Sequence, residues 1–267
     1  MDYLYGPSFF ILGLAIGSFL NVCAYRIPKG ESIIFPPSHC TECNHQIRAV
    51  DNIPVLSFIL LGGRCRNCGS KISLRYPLVE LITGVLWAAS YFHFGLQLEL
   101  AYALFFVTIL VTVSAIDLET RLIPDRLLLP AILISLFYLA LYLMKLDTIP
   151  IVNDLNKLWS IAGFFAGGGL LFLIALVAQP IFKKDVMGGG DIKLAAFTGL
   201  YLGEYVFLAL FIGAFLGALT GVILIAANKK GMQDVIPFGP FIAMGSILTV
   251  FYGPQLWGSY LSLAGLS

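Results

Sequence analysis

Charged side chains are scarce in this chain. Asp, Glu, Lys and Arg make up 12 % of its 267 residues, about half of the ~25 % found in soluble domains. So few charges would not cover the surface of a water-soluble globule of this length, which excludes an ordinary soluble enzyme and a disordered protein. The formal net charge is only +1, so the basic excess of a nucleic-acid binder is missing and no nucleic-acid partner is expected.

Several common sequence signals are also missing. The chain has no P-loop, no G-x-G-x-x-G after a strand, no serine-centred elbow and no H-E-x-x-H. Its first basic residue, Arg26, follows the first apolar run, whereas a cleavable secretory signal places its charges before that run. We therefore expect the first helix to stay as an anchor with its N-terminus outside.

Apolar residues dominate instead, at 59 % of the chain. A transmembrane helix needs about 20 of them in a row, and the hydropathy pattern predicts an all-α polytopic membrane protein with about eight spans. A break at 199–203 separates the two least certain spans, and Gly13 and Gly17 form a G-x-x-x-G typical of close helix packing. No internal repeat is evident. The predicted spans are 7–25, 77–94, 98–116, 127–144, 158–181, 192–203, 204–227 and 238–264.

The basic residues fall mostly on one side of this arrangement. If the loop after the first span is cytoplasmic, 14 of the 16 Lys and Arg lie on that side, as the positive-inside rule requires. This predicts both termini on the outer face. It also predicts three parts: a first transmembrane helix at 1–25, a small polar cytoplasmic domain at 26–76 and a transmembrane bundle at 77–267.

Four cysteines lie in the polar stretch as two C-x-x-C pairs, Cys40 with Cys43 and Cys65 with Cys68. Two such pairs are typical of a structural zinc site, because each turn directs two thiolates at one tetrahedral ion. A domain of about 50 residues also needs such a staple. Two disulfides or a redox pair are the alternative, but disulfides rarely persist in the cytoplasm.

Two carboxylates stand at the ends of apolar runs, where a charge costs roughly 3 kcal/mol on insertion scales. Asp117 follows the run 104–116 without a loop break, and Asp191 follows three glycines at the start of the sixth run. The charge count puts both at the cytoplasmic end of their spans, where they can meet across a helix bundle. Two carboxylates a few ångströms apart cannot both ionise, so one acts as base on a water and the other as acid on a carbonyl.

Simpler roles stay open for these residues. Asp117 fits the C-terminal end of a helix, and Asp191 fits a helix N-cap, where Asp is favoured. Pro124 is expected to end the helix that carries Asp117. Glu80 is interpreted either as the partner of a basic loop residue or as a substrate contact, and Asn21 as a side chain that binds a backbone.

The order of these elements resembles a known family. A Gly-Ser-Phe-Leu-Asn run in the first span precedes the two cysteine pairs, and Arg75-Tyr-Pro-Leu-Val-Glu, Ile-Asp117, Gly188-Gly-Gly-Asp191 and Pro237-Phe-Gly-Pro follow. Over residues 6–245 the chain is similar to the bacterial type IV prepilin peptidases, which combine a leader peptidase with an N-methyltransferase. The G-x-G-D motif alone also resembles presenilin-type and archaeal preflagellin peptidases, but those lack the cysteine loop after the first span.

The resemblance implies an activity, substrates and cofactors. An intramembrane aspartic endopeptidase of the G-x-G-D type would remove the basic leader of type IV prepilins and pseudopilins after a Gly, on the cytoplasmic side of the bacterial inner membrane. S-adenosylmethionine would then methylate the new N-terminus, and the zinc loop would belong to that second activity. The catalytic residues would be Asp117 and Asp191.

Two further sets of residues are candidates only. The substrate-contact candidates flank the catalytic aspartates or carry charge near them: Glu80, Asp125, Gly188, Gly190 and Lys193. The methyl-donor candidates lie in the cysteine loop: Arg48, Asp51, Asn52, Gly63 and Arg64. A proton- or ion-coupled transporter and a non-catalytic scaffold of a pilus or secretion machine are the alternatives, and the oligomeric state is left open.

Overall fold

The computed structural model of the chain describes residues 2–144, 157–182, 187–229, 231, 234 and 236–265. Within these ranges it contains helices and no strand, which confirms the all-α prediction. Short 3₁₀ helices occur at Ala49–Asn52 and Gly203–Tyr205. The α-helices are α1 Asp2–Arg26, α2 Leu56–Leu60, α3 Arg75–Phe94, α4 Leu98–Thr120, α5 Asp125–Leu143, α6 Lys157–Phe182, α7 Gly189–Leu202, α8 Val206–Ala226 and α9 Gly239–Leu263.

The long helices coincide in order and position with the predicted apolar runs. The expected break near 199–203 is present, because Gly203 adopts a positive φ of 54° and starts the 3₁₀ turn between α7 and α8. Four described segments are long and apolar enough to cross a membrane: Tyr5–Arg26, Leu98–Thr120, Trp159–Ile181 and Gly189–Ala226. The chain is thus a membrane protein by composition and helix length, and the count of about eight spans stays a prediction.

The charge-based topology also stays a prediction. Four lysines that entered the count lie outside the described residues, namely Lys145, Lys183, Lys184 and Lys230. The long helices nevertheless expose large apolar side chains, such as Phe211 at 70 % and Phe165 at 68 %. Side chains of this kind are stable on an outer surface when lipid rather than water covers them.

The chain divides into two compact units, Met1–Ile116 and Asp117–Ser267. In the first unit, α1 and α3 approach through glycines. A Cβ on Gly17 would lie 2.6 Å from the Cα of Glu80, and a Cβ on Gly13 would lie 2.8 Å from the Cα of Gly84. No side chain fits at such distances, so the expected G-x-x-x-G packing is confirmed and α3 is the helix it contacts.

A buried arginine organises the loop that follows α1. Arg26 closes α1 and is only 4 % exposed. Its guanidinium donates hydrogen bonds to the backbone carbonyls of Ser32 at 3.0 Å and Pro36 at 2.7 Å. A cation at the C-terminus of a helix is also favoured by the helix dipole. Arg26 therefore holds the start of the cysteine loop against the end of α1.

In the second unit, α7 is the central helix. Its residues 194–202 are all buried, and its Tyr201 hydroxyl lies 3.0 Å from the hydroxyl of Ser135 on α5. Helix α6 meets α7 through Gly163 and Gly199, since a Cβ on either would overlap the carbonyl of the other. The contact continues toward the N-terminus of α7, since a Cβ on Gly168 of α6 would lie 3.5 Å from the carbonyl of Ile192, the residue after Asp191.

The glycine contact between α6 and α7 can be tested by adding a methyl group. We expect Gly163→Ala to destabilise the protein by about 1–3 kcal/mol, because overpacking displaces backbone that has nowhere to move. The matched control is Gly169→Ala on the same helix, where a Cβ meets no atom within 4 Å. Thermal unfolding in detergent measures the difference, and equal midpoints for the two variants would contradict this packing.

Candidate functional site

Asp117 lies in the last turn of α4 and is buried, at 4 % exposure. Helix α4 ends at Thr120, and Arg121 adopts a positive φ of 55° while donating its amide hydrogen to the Asp117 carbonyl. The expectation that Pro124 ends this helix is wrong, because the left-handed residue ends it three residues earlier. Pro124 instead precedes α5, and its carbonyl accepts hydrogen bonds from the backbone N–H groups of Leu127 and Leu128 in the first turn of that helix.

The Asp117 carboxylate is held by a distant part of the chain. Its Oδ2 accepts a hydrogen bond from the backbone N–H of Gly239 at 2.9 Å, at the start of the 25-residue helix α9. A Cβ on Gly239 would lie 2.8 Å from the same oxygen. Because helix N-termini favour negative charge, this contact stabilises the ionised carboxylate. Only glycine allows the backbone to come so close.

Asp191 is the third residue of α7. The N-cap position belongs to Gly188, in extended conformation with φ −69° and ψ 140°, so the alternative that Asp191 is itself the N-cap is wrong. The carboxylate of Asp191 reaches back to the backbone of Gly188 and hydrogen-bonds it, which is the reciprocal half of a capping box. Its orientation is thus set by the turn of α7 that carries it.

The two aspartates, 74 positions apart in the sequence, converge in the second unit. Ile123 lies between the two backbone segments that border the aspartates. A Cβ on Gly190, next to Asp191, would lie 2.7 Å from the Ile123 Cβ, and a Cβ on Gly239, which binds Asp117, would lie 3.3 Å from the Ile123 Cδ1. The Asp117 carboxylate also acts electrostatically on that of Asp191. Two interacting carboxylates of this kind can share one proton, which is the arrangement that activates a water and protonates a carbonyl.

Four of the five substrate-contact candidates lie around these aspartates. Asp125 begins α5 and forms an ion pair with Lys193 of α7, with 2.6 Å between Oδ1 and Nζ. Both side chains are about half exposed, so the pair remains accessible. Gly188 and Gly190 flank the backbone that carries Asp191. These residues therefore form one rim, on which the structure brings together two charges and a stretch of bare backbone.

Glu80, the fifth candidate, lies in the first unit and is buried, at 8 % exposure. Its Oε2 accepts a hydrogen bond from the backbone N–H of Val55 at 2.7 Å, and its carboxylate also bonds the side chain of Ser18. The expected pairing with a basic loop residue is wrong, because a backbone amide takes that place. Asn21 binds a backbone as expected, donating from Nδ2 to the Tyr76 carbonyl at 3.0 Å.

The four cysteines form one cluster, with all Sγ atoms within 4.8 Å of one another. The Sγ atoms of Cys40 and Cys68 are 3.9 Å apart, close to the ~3.8 Å edge of a tetrahedron with Zn–S bonds of about 2.3 Å. Burial raises the pKa of the Cys40 thiol, but hydrogen bonds from the backbones of Cys43 and Glu42 outweigh it and lower the value to about 6. The donor set and its spacing therefore fit a zinc ion.

The two cysteine turns repeat one structure at an offset of 25 residues, although no internal repeat was expected. In the first turn, the backbone N–H of Cys40 donates to the His45 carbonyl, and the backbone N–H of Asn44 donates to the Cys40 carbonyl. In the second turn, the backbone N–H of Cys65 donates to the Ser70 carbonyl, and that of Gly69 donates to the Cys65 carbonyl. Asn44 and Gly69 both have positive φ, and the bridges His39–Gln46 and Arg64–Lys71 close the two turns. The repeat is hard to see in the sequence because few residues besides the cysteines coincide.

The methyl-donor candidates are spread over the cysteine loop. Asp51 is engaged by Arg66, whose Nη2 and Nε donate to the carboxylate at 2.7 and 2.9 Å, and this contact holds the pKa of Asp51 below its usual range. Arg66 lies inside the second cysteine turn, so the ion pair ties that turn to the 3₁₀ helix Ala49–Asn52. Gly63 packs on the ring of Phe58. Arg48, Asn52 and Arg64 are exposed.

Two functional contacts were missed by reasoning from the sequence. Gly239 belongs to Pro237-Phe-Gly-Pro240, which was used only as part of the family resemblance, and its position against Asp117 depends on a contact 122 residues apart. Val55 has a positive φ of 60°, which is rare for a β-branched residue. Nothing in the local sequence marks that conformation.

Comparisons with known proteins agree with this organisation. The model of the bacterial peptidase A24 N-terminal domain matches residues 11–94, and the model of the type IV leader peptidase family matches residues 104–222. No solved structure matches the chain.

Curated relatives cover almost the whole chain. A prepilin leader peptidase/N-methyltransferase of Bacillus subtilis is 36 % identical over 96 % of this chain and 97 % of its own length. Proteins of the same name from Stutzerimonas stutzeri and Pseudomonas aeruginosa are 33 % and 31 % identical, each over 96 % of this chain and 93 % of its own length. The chain therefore belongs to the family of prepilin leader peptidases/N-methyltransferases.

Proposed function

We propose that this protein is an intramembrane aspartic endopeptidase that removes the leader of type IV prepilins or pseudopilins and then N-methylates the new N-terminus. The names of its relatives support both activities. The observation that carries the peptidase half is the convergence of Asp117 and Asp191 around Ile123. Such a pair serves hydrolysis of a peptide bond without a covalent intermediate.

The surroundings of the two aspartates favour different roles. Both carboxylates accept a backbone amide hydrogen, Asp117 from Gly239 and Asp191 from Gly188. The Asp117 charge acts on Asp191, so we place the shared proton on Asp191 and make Asp117 the base that takes a proton from water. Asp191 then donates its proton to the oxygen of the scissile carbonyl as the water oxygen attacks the carbon. When the tetrahedral intermediate collapses, the proton held by Asp117 passes to the departing amine.

The rim beside Asp191 is proposed to bind the substrate around the cut. The glycines at 188–190 leave backbone without side chains, against which an extended segment can lie. Asp125 is half exposed and paired to Lys193, so a basic residue of the leader can replace Lys193 as its partner. Cleavage after Gly on the cytoplasmic side is part of this proposal, as are the inner membrane, the eight spans and the outer position of both termini.

The methyl-transfer half is proposed to depend on the cysteine loop. Cys40, Cys43, Cys65 and Cys68 would hold one Zn²⁺, and four protein ligands leave no open position on the ion, so its part is structural. S-adenosylmethionine supplies the methyl group. The residues proposed to bind this donor are Arg48, Asp51, Asn52, Gly63 and Arg64, with Asp51 positioned through its pair with Arg66.

Substitution of the aspartates tests the peptidase half. We expect Asp117→Asn and Asp191→Asn each to reduce leader cleavage by at least about 10³-fold, since removing either the base or the acid of a coupled pair disables both. Zinc content and thermal unfolding are expected to stay unchanged. Mass spectrometry of a prepilin with an intact Gly–Phe junction measures cleavage. Wild-type cleavage by either variant would remove that residue from the mechanism, and retention by both would favour a scaffold.

The Gly239 contact predicts a second loss of cleavage. Gly239→Ala is expected to lower kcat by about 10²-fold or more, because the new methyl group displaces the Asp117 carboxylate from its donor. Gly258→Ala on the same helix is the matched control, since a Cβ there meets no atom within 4 Å. Equal cleavage rates for the two variants would show that the Gly239 amide does not position Asp117.

Metal analysis tests the cysteine cluster. Wild-type protein is expected to contain one zinc per chain, and Cys40→Ser with Cys68→Ser to lose it together with methylation, while leader cleavage persists. Cys23→Ala serves as control, because Cys23 is buried in α1 away from the cluster. Two disulfides and no zinc in the purified wild type would contradict this prediction.

A further inference from the structure

The first unit contains a buried amide oxygen without a hydrogen-bond partner. Asn21 is only 3 % exposed, and its Nδ2 donates to the Tyr76 carbonyl, which fixes the orientation of the side-chain amide. Its Oδ1 is buried and accepts no hydrogen bond from any described residue. An unsatisfied buried acceptor costs about 1–3 kcal/mol, so a donor is expected there when the protein works.

A buried carboxylate lies one turn further along the contact between α1 and α3, where a Cβ on Gly17, four residues before Asn21, would lie 2.6 Å from the Cα of Glu80. Glu80 is four residues beyond Tyr76 on α3, and therefore on the same face of that helix. Its contacts are the Val55 amide and the Ser18 side chain. It forms no ion pair with any described residue, so none of the cations in that part of the chain matches its negative charge.

The backbone that reaches Glu80 is strained. Val55 donates its N–H to Oε2 from a conformation with φ of 60°, which costs of order 1–3 kcal/mol for a residue other than glycine. Val55 directly precedes α2 and follows the 3₁₀ helix Ala49–Asn52, which carries two methyl-donor candidates. The cysteine loop is thus anchored on the same carboxylate that lacks a cation.

We propose that Glu80 and Asn21 form a binding site for a primary ammonium group in the methyl-transfer half of the reaction. This inference rests on the proposed methyltransferase function. A buried carboxylate without a paired cation and a buried amide oxygen without a donor match a compact cation with three N–H donors. Methyl transfer to a pilin N-terminus involves two such groups: the new α-ammonium of the substrate and the α-ammonium of S-adenosylmethionine.

The two sources give Glu80 different tasks. If the substrate ammonium binds, Glu80 takes one of its protons and leaves a neutral amine. The nitrogen lone pair then forms the N–C bond while the C–S bond of the donor breaks and its electrons go to sulfur, leaving a methylated ammonium and neutral S-adenosylhomocysteine. If the donor ammonium binds, Glu80 only positions the donor and no proton moves.

The variant Glu80→Gln tests the site, because the amide oxygen still accepts from Val55 while the charge is lost. We expect leader cleavage within about twofold of wild type, one zinc per chain and a loss of methylation of about 10²-fold. Glu80→Asp retains the charge and is expected to restore part of the methylation. Ser90→Ala on the same helix removes a hydroxyl that bonds the Leu86 carbonyl of the helix itself and is expected to leave methylation unchanged.

Kinetics on a peptide with the mature pilin N-terminus separate the two sources. If the substrate ammonium is bound, residual methylation by Glu80→Gln rises about tenfold per pH unit below the amine pKa of roughly 8, and KM for S-adenosylmethionine is unchanged. If the donor ammonium is bound, KM for S-adenosylmethionine rises and the pH profile stays that of the wild type. Either pattern supports an ammonium site.

Two results would overturn the proposal in distinguishable ways. The first result is wild-type methylation by Glu80→Gln, or a parallel loss of cleavage, zinc and methylation that Glu80→Asp does not restore. Either outcome would make the carboxylate a structural anchor of Val55 and leave the proposed function intact. Absence of methylation by zinc-loaded wild-type protein would remove the methyltransferase function, and the ammonium site with it.

Discussion

Carboxylates that lie buried or half-buried in apolar helices need hydrogen-bond donors, and this protein supplies them from the backbone. Asp117 is bound by the amide of Gly239, and Glu80 by the amide of Val55. Asp191 hydrogen-bonds the backbone of Gly188, at the start of its own helix. A backbone amide stabilises the anion without adding a positive charge, so each carboxylate remains able to bind a cation or to exchange a proton. A lysine or arginine in the same place would have made these sites inert ion pairs.

This solution requires the backbone to approach closely, which explains several glycines. Gly239 lies against the Asp117 carboxylate, and Gly190 lies against Ile123 beside Asp191. Gly17 places α1 directly on the Cα of Glu80. Because each of these contacts excludes a Cβ, a single added methyl group shifts either a carboxylate or the helix that carries it. Helix packing and chemistry therefore depend on the same positions.

The cysteine loop is assembled by a different principle, since it has too few residues for a hydrophobic core of its own. Two turns of the same construction direct four sulfur atoms to one point. Arg26 holds the start of the loop by binding its carbonyls, and the pair of Asp51 with Arg66 connects a cysteine turn to the neighbouring 3₁₀ helix. Glu80 then ties the end of that segment to α3. The cysteine cluster, an ion pair and hydrogen bonds replace the missing core.

Much of this protein is determined by local sequence. Apolar runs set the helices, because helix length and lipid exposure depend on nearby residues alone, and C-x-x-C spacing sets the cysteine cluster, because each turn is local. The resemblance carried by Gly-x-Gly-Asp191 and the cysteines was enough to identify the family. The partners of Asp117 and Glu80, by contrast, were decided only by tertiary structure. Gly239 meets Asp117 across 122 residues, and Val55 meets Glu80 through a strained φ, so both contacts exist only once the helices have packed.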